Sequence, residues 1–425
     1  MNNLSSSFIA LRYRNFRLLW LGQLISMCGS MMQNVAILWH ISLLVAPEQK
    51  GLALGLVGLV RVLPIIVLSL VSGVVADVLD RRKVMLMTQT GMALLAFVLA
   101  AVTFAGLHTP WPIYLLTALS TGIGTFDGPA RQSLIPSLVP QEHFPNAISL
   151  NTIMFQFAAV LGPALGGIAL ASLGVGWVYA FNALSFVAVI AGLLLMRDLP
   201  VRQLTREQST QPRISLGAAV EGLRFVFANP LIRSTMLLDF FATFFSSATA
   251  LLPIFAQDIL HVGAQGYGWL YAAPSVGAFI AGLGMLRMAD RIERRGWVLL
   301  SAVLVYGLAT VVFGVSRLFW LTFGCLALTG AADTVSTVLR NVVRQLATPD
   351  ELRGRMTSVN MIFFMGGPQL GELEAGLVAS AFGAPVSVIS GGIGCMLVTV
   401  WMMATANSLR GYRTNSVQTQ QALSG

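Results

Sequence analysis

Ala76-Asp77-Val78-Leu79-Asp80-Arg81-Arg82-Lys83 is a charged hairpin set between two long apolar runs, one closing at Gly73 and the next opening at Val84. Half a chain later, Ala289-Asp290-Arg291-Ile292-Glu293-Arg294-Arg295 repeats it. Asp77 matches Asp290, Asp80 matches Glu293, and Arg81-Arg82 matches Arg294-Arg295. Two copies of one charged turn, each bounded by apolar runs, predict two related halves.

Working outward from the hairpin, runs of about 20 mostly apolar residues recur at roughly 16–45, 52–76, 84–106, 111–136, 147–172, 176–196, 233–257, 266–288, 297–315, 318–340, 357–381 and 385–405. The 425 residues are 56% hydrophobic and 10% charged, with a mean hydropathy of +0.77. A water-soluble chain could not hide that much apolar surface, so lipid must solvate much of it. The runs are long and do not alternate with period two, which excludes a β-barrel. The expected fold is an all-α membrane protein of twelve transmembrane helices in two pseudo-symmetric six-helix bundles. The first bundle is expected over 1–200 and the second over 233–410. Between them, 201–232 reads as a cytoplasmic linker with an amphipathic stretch from Ile214 to Ala228. The tail, 411–425, reads as disordered.

Charge placement orients the chain. With the N-terminus inside, every Lys and Arg except Lys50, Arg317 and the intramembrane Arg61 falls in an inside segment. Both termini are therefore expected in the cytoplasm. The net charge of +9 reflects topology and an anionic inner leaflet, not nucleic acid. The first 16 residues show no cleavable signal, so the first span is expected to target the protein. Cys28, Cys325 and Cys395 lie inside apolar runs, and no disulfide is expected. His40, His108, His143 and His261 have no metal-ligand spacing, so no metal is expected. The two lysines, Lys50 and Lys83, lie in no phosphate-binding loop, which excludes ATP hydrolysis by that route. No cofactor and no enzymatic activity are expected, and an ion gradient is the natural energy source.

The repeat extends beyond the hairpin. Gly124-Thr125-Phe126-Asp127 aligns with Gly330-Ala331-Ala332-Asp333, and Asn151 aligns with Asn360. Gly162-Pro163-Ala164-Leu165-Gly166-Gly167 falls on Gly371-Glu372-Leu373-Glu374-Ala375-Gly376. One half places a proline and glycines where the other places two glutamates, and such asymmetry inside a repeat marks a place to look for function.

With these residues quoted, the chain resembles the major facilitator superfamily over nearly its whole length. The segment Gly73 to Lys83 is similar to that superfamily's signature between helices 2 and 3, departing from it at Val78 and Asp80. Gly162-Pro163 with Gly166-Gly167 resembles the core of the helix 5 antiporter signature, although Ser149 and Ala158 replace its upstream glycines. Phe126 to Gln132 and Pro253 to Asp258 resemble the twelve-helix drug:proton antiporter branch, which holds macrolide-efflux and enterobactin-exporter proteins. The resemblance implies a conformational latch. Asp77 would sit at the N-terminus of helix 11, and Arg81 would pair with Asp127, for which Arg131 is a rival partner. Asp290, Arg294 and Asp333 would repeat the arrangement.

Charges inside spans cost about 2.5–3.5 kcal/mol each at a helix centre, so unpaired, lipid-facing placement is disfavoured. The candidates for proton coupling at the cavity are Arg61, Asp239, Glu372 and Glu374. Glu372 and Glu374 are two residues apart, about 200° around a helix, so only one can face a given cavity. The resemblance places helices 2 and 11 at the interface of the halves, where Arg61 could pair with one glutamate, either as a releasable coupling pair or as a static tie. Gly162 and Pro163 would bend helix 5, and Gly166 and Gly167 would let another helix approach closely. Phe155, Phe240, Phe241, Phe363 and Phe364 would suit an apolar, shape-tolerant cavity.

The expected function is secondary active transport by a monomer in a bacterial inner membrane: a small-molecule substrate, amphipathic or hydrophobic, exported against protons. The alternatives are a dedicated exporter of one metabolite such as a siderophore, a proton-coupled importer, or a non-transporting sensor or scaffold.

Overall fold

The computed structural model describes residues 8–197, 223–245, 247–288, 291–349 and 352–412. Among them are twelve long helices: α1 Arg14–Leu44, α2 Lys50–Val78, α3 Arg81–Phe104, α4 Trp111–Leu134, α5 Phe144–Ser172, α6 Val175–Leu195, α7 Pro230–Phe245, α8 Gly263–Met288, α9 Arg295–Val315, α10 Phe319–Leu346, α11 Arg353–Phe382 and α12 Ala384–Thr405. No strand occurs among the described residues. Ten helices are long and apolar enough to cross a membrane; the other two are α4, which carries Asp127 and Arg131, and α11, which carries Glu372 and Glu374. Large apolar side chains such as Leu286, Trp320 and Met87 point outward, with exposures of 83%, 78% and 73%. Lipid is the solvent that such a surface needs.

The local chemistry of the hairpin explains its departure from the superfamily signature. Asp80 is the N-cap of α3, and its carboxylate accepts hydrogen bonds from the backbone N–H groups of Arg82, at 2.9 Å, and Lys83, at 3.4 Å. A capping carboxylate satisfies donors that the first helical turn leaves open and complements the helix dipole. Asp80→Ala is expected to destabilise the protein by about 0.5–2 kcal/mol, read as a lower midpoint in detergent unfolding, with Asp80→Asn retaining most of the stability.

Two other turns carry the repeat. Gly174 joins α5 to α6 at φ +89°, and Gly383 joins α11 to α12 at φ +90°. Both occupy the backbone region closed to most side chains. They stand at equivalent places of the two halves.

α7 does not run through as one helix. After Phe245 the chain continues as a 3₁₀ turn at Ala248–Leu251, a short helical piece at Leu252–Ile254 and a π-helical turn at Phe255–Ile259. Pro253 has no N–H for the carbonyl one turn earlier, so the regular ladder cannot pass through it.

Contacts sort the chain into two compact units. The first holds Met1–Val45, Leu63–Ile214 and Gly263–Ala272, and the second holds Ala46–Val62, Ser215–Val262 and Ala273–Gly425. The sequence halves therefore exchange ends: the start of α2 packs within the second unit and the start of α8 within the first. Small residues produce this exchange. A Cβ on Gly55 would lie 2.8 Å from the Gly376 Cα of α11, and one on Gly167 of α5 would lie 2.7 Å from the Gly268 Cα of α8. The first unit's core gathers Phe16, Leu19, Met85, Leu134, Leu150, Val189 and Leu193, and the second unit's gathers Leu238, Leu299, Leu300, Val303, Leu339 and Met402. Residues 198–222 and 413–425, which include most of the expected linker and the tail, lie outside the described residues. The end of the amphipathic stretch, 223–228, is helical, and its Val226 packs on Ile232, Met236, Met356 and Val359.

Candidate functional site

The densest polar cluster in the second unit is organised by α10. Asp333, Thr337, Arg340 and Arg344 recur at intervals of four, three and four residues, which places them on one helical face. Across from that face, α7 presents Asp239, only 3% exposed. Arg340 Nη2 lies 2.9 Å from Asp239 Oδ1, and Arg344 Nη2 donates to Asp239 Oδ2 at 3.2 Å. The same Arg340 nitrogen reaches Asp333 Oδ1 at 3.4 Å and donates to Thr337 Oγ1 at 2.7 Å. Arg344 also donates to the Thr235 hydroxyl and carbonyl, at 3.2 and 3.0 Å, and to the Asn360 side chain. Two carboxylates thus face two guanidinium groups, with Asp239, Thr235 and Asn360 contributed by neighbouring helices and Asp333 and Thr337 by α10 itself. Buried charge is tolerable only under such pairing.

The corresponding helices of the first unit give the arginine an amide partner instead. Arg131 of α4 donates to Gln23 Oε1 of α1 at 3.0 Å. Asp127 is buried and accepts from Thr88 Oγ1 at 3.1 Å and Gln89 Nε2 at 2.8 Å, both on α3. Gln23 in one unit stands where the other unit has the carboxylate of Asp239.

The second acidic position lies where α2 meets α11. Glu372 is 8% exposed, and its Oε2 has no hydrogen-bond partner among the described residues. Its Cβ is 2.8 Å from where a Cβ on Gly58 would stand, so Glu372 is the glutamate that faces α2. Arg61, one turn beyond Gly58, is the cation whose field reaches it. Glu374 is half-buried on another side of the helix.

Of the expected latch, Arg81 donates to the Ser133 carbonyl at 2.6 Å, while Asp333 is held by Arg340 of its own helix. Arg294 is exposed at the start of α9. The Asp77 side chain and the whole of Asp290 lie outside the described residues. Gly162 and Gly166 of α5 face the Met31 and Met32 backbone and side chains of α1, Gly167 faces Gly268 of α8, and Pro163 is buried between them. Phe240, Phe241, Phe244, Phe245 and Phe363 form a chain of ring contacts with centroids 5.2 to 6.2 Å apart. Phe155 is in the other unit and half exposed, and the Phe364 side chain lies outside the described residues. Among the described residues, no cluster of His, Cys, Asp and Glu could hold a metal ion.

Sequence reasoning missed Arg340 and Arg344, which it counted as inside-loop charges, and with them Thr235 and Asn360. The signal was present: two arginines four apart, continuing the face of Asp333. It also missed Lys50. This 8% exposed cation binds Gln257 Oε1 at 2.9 Å and both carboxylate oxygens of Asp258 at 3.1 and 2.9 Å, on the π-helical turn. Insertions of that kind often mark functional positions.

Twelve long helices of this kind, most of them long and apolar enough to cross a membrane, have the architecture of the major facilitator fold. Solved structures agree. A bacterial homologue of the human lysosomal transporter Spinster superposes with a TM-score of 0.69 at 16% identity, over 94% of this chain and 96% of that one. A bacterial homologue of the iron transporter ferroportin superposes with a TM-score of 0.66 at 17% identity, over 93% and 99%. More particularly, residues 5–422 match the transmembrane secretion effector family, and the chain belongs to that branch of the major facilitator superfamily. It is 28% identical to the enterobactin exporter EntS of Escherichia coli O1:K1 / APEC over 95% of this chain and 94% of the relative. It is 29% identical to that of Salmonella typhi, over 94% of each. Proteins of this family move solutes across membranes and are not enzymes.

Proposed function

We propose that this transporter exports an amphipathic small molecule across a bacterial cytoplasmic membrane in exchange for protons, as a monomer with both termini in the cytoplasm. The observation that carries the proton coupling is Asp239: a carboxylate almost sealed from water between two arginines of one helix. Protonating it removes one charge from a balanced set and frees both arginines. A local charge change of this size can bias a two-state packing arrangement. Glu372 beside Arg61 is the second candidate carrier. For cargo, the phenylalanine chain on α7 and α11 suits an apolar or aromatic compound. The likeness to enterobactin exporters favours a siderophore-class metabolite over broad drug efflux.

The test is transport in proteoliposomes under an imposed pH gradient, with enterobactin and the lipophilic cation ethidium as alternative cargoes. Exchange predicts that cargo accumulates on the side from which protons leave. Asp239→Asn is expected to lose gradient-driven accumulation at least tenfold while retaining cargo counterflow at equal pH. Retention in Asp239→Asn with loss in Glu372→Gln would move the coupling to α11. Retention in both would sink proton exchange at these residues, and cargo moving with the protons would identify an importer.

A further inference from the structure

Beside Arg340 lies a cavity of about 10 Å³, bounded by Thr243, Tyr306, Asp333, Ser336 and Arg340. That is the space one water molecule's centre requires. Two buried polar atoms of its lining residues have no hydrogen-bond partner among the described residues: Ser336 Oγ, in a residue 1% exposed, and Arg340 Nε, in a residue 2% exposed. Asp239 Oδ1 touches Arg340 at 2.9 Å without hydrogen-bond alignment, so it too has capacity for a further donor. Buried polar groups are normally satisfied, and an internal water is the ordinary means where protein partners are lacking.

The two carboxylates differ sharply in access. The Asp333 side chain is 45% exposed and that of Asp239 is 4% exposed. Yet both lie against the same nitrogen, Arg340 Nη2, at 3.4 and 2.9 Å. Their oxygens can therefore be no further apart than the sum of those contacts, a gap that one water with two hydrogen bonds of about 2.8 Å each nearly spans. Arginine remains cationic in proteins, so Arg340 positions the carboxylates and carries no proton itself. The other titratable groups packed around the pair are Arg344 on α10, Tyr306 on α9 and Cys395 on α12.

We propose that Asp333 is the entry station of a two-carboxylate proton relay, passing its proton through a single water held by Ser336 and Arg340 to Asp239. The inference rests on the proposal that Asp239 takes up the coupled proton. In the step, the O–H bond of protonated Asp333 breaks as the water gains a proton. The water then gives up a proton as an O–H bond forms on Asp239. Water is regenerated, one proton has moved inward, and no electron is transferred.

The experiment is time-resolved infrared spectroscopy of the protein in phospholipid vesicles after a downward pH jump, reading the protonated-carboxyl band. Asp239→Asn should remove the internal component of that band. Asp333→Asn should leave that component but slow its rise at least tenfold, and Ser336→Ala, which alters no charge, should slow it three- to tenfold. Asp333→Glu should restore the rate, which a purely structural role would not require. An internal band rising at the wild-type rate in both Asp333→Asn and Ser336→Ala overturns the relay. A band unchanged by Asp239→Asn overturns instead the assignment of the coupled proton to Asp239. If Asp333→Asn does not fold, the Ser336→Ala rate alone decides.

Discussion

Arg340→Leu is expected to destabilise the protein by about 3–5 kcal/mol, the range seen when one member of a buried ion pair is removed. Arg340 is among the largest side chains that are almost wholly buried, and it touches both Asp239 and Asp333. Removing it leaves Asp239 with Arg344 alone and Asp333 with no ion pair among the described residues. The loss leaves two carboxylates, Asp239 and Asp333, against the one guanidinium of Arg344. Charge balance then predicts a rescue: Arg340→Leu combined with Asp333→Asn leaves one carboxylate against one guanidinium and should recover half or more of the lost stability. Titration with a denaturing detergent in mixed micelles would measure this. A double variant no more stable than Arg340→Leu alone would show that packing of the arginine stem, and not charge, dominates.

Gly330→Ala is the smallest substitution with a large expected effect. Gly330 of α10 stands against the Pro274 carbonyl of α8, and Gly277 of α8 stands against the Ala327 carbonyl of α10. The two backbones touch at both points, leaving no room for a methyl group. Overpacking of this kind costs about 1–3 kcal/mol. It would also push α10 away from α8 one turn before Asp333, disturbing the Asp239 pairing. Transport should fall with stability. Gly324, on the same helix, faces open space. Gly324→Ala should be neutral, or stabilising by about 0.5–1 kcal/mol through lower backbone freedom in the unfolded chain. Equal losses in the two variants would remove the backbone-contact explanation.

The acidic positions were legible in the sequence, and their partners were not. A carboxylate inside an apolar run is conspicuous because lipid penalises it, which singled out Asp239, Glu372 and Glu374. Arg340 and Arg344 were obscured by their position at the end of an apolar run, where arginines ordinarily mark a membrane boundary. α10 in fact continues to Leu346. It can do so because Asp239, Asn360 and Thr235 pair its arginines within the protein. The expected pairing of Asp127 or Asp333 with the hairpin arginines came from the resemblance. In the structure, Thr88 and Gln89 bond Asp127, and Arg340 holds Asp333.

The sequence by itself determined the membrane class, the twelve spans and the two-fold repeat, because lipid solvation acts on local hydropathy and both hairpins carry their own charge pattern. Tertiary structure alone decided which acids are buried and which cations lie beside them, since Asp239 and its arginines are on helices about a hundred residues apart and Glu372 is further still from Arg61. It also decided where the compact units divide. Close glycine contacts at Gly55 and Gly167 reassign helix ends that the order of the chain would have kept with their own halves, and only packing reveals which small residues meet.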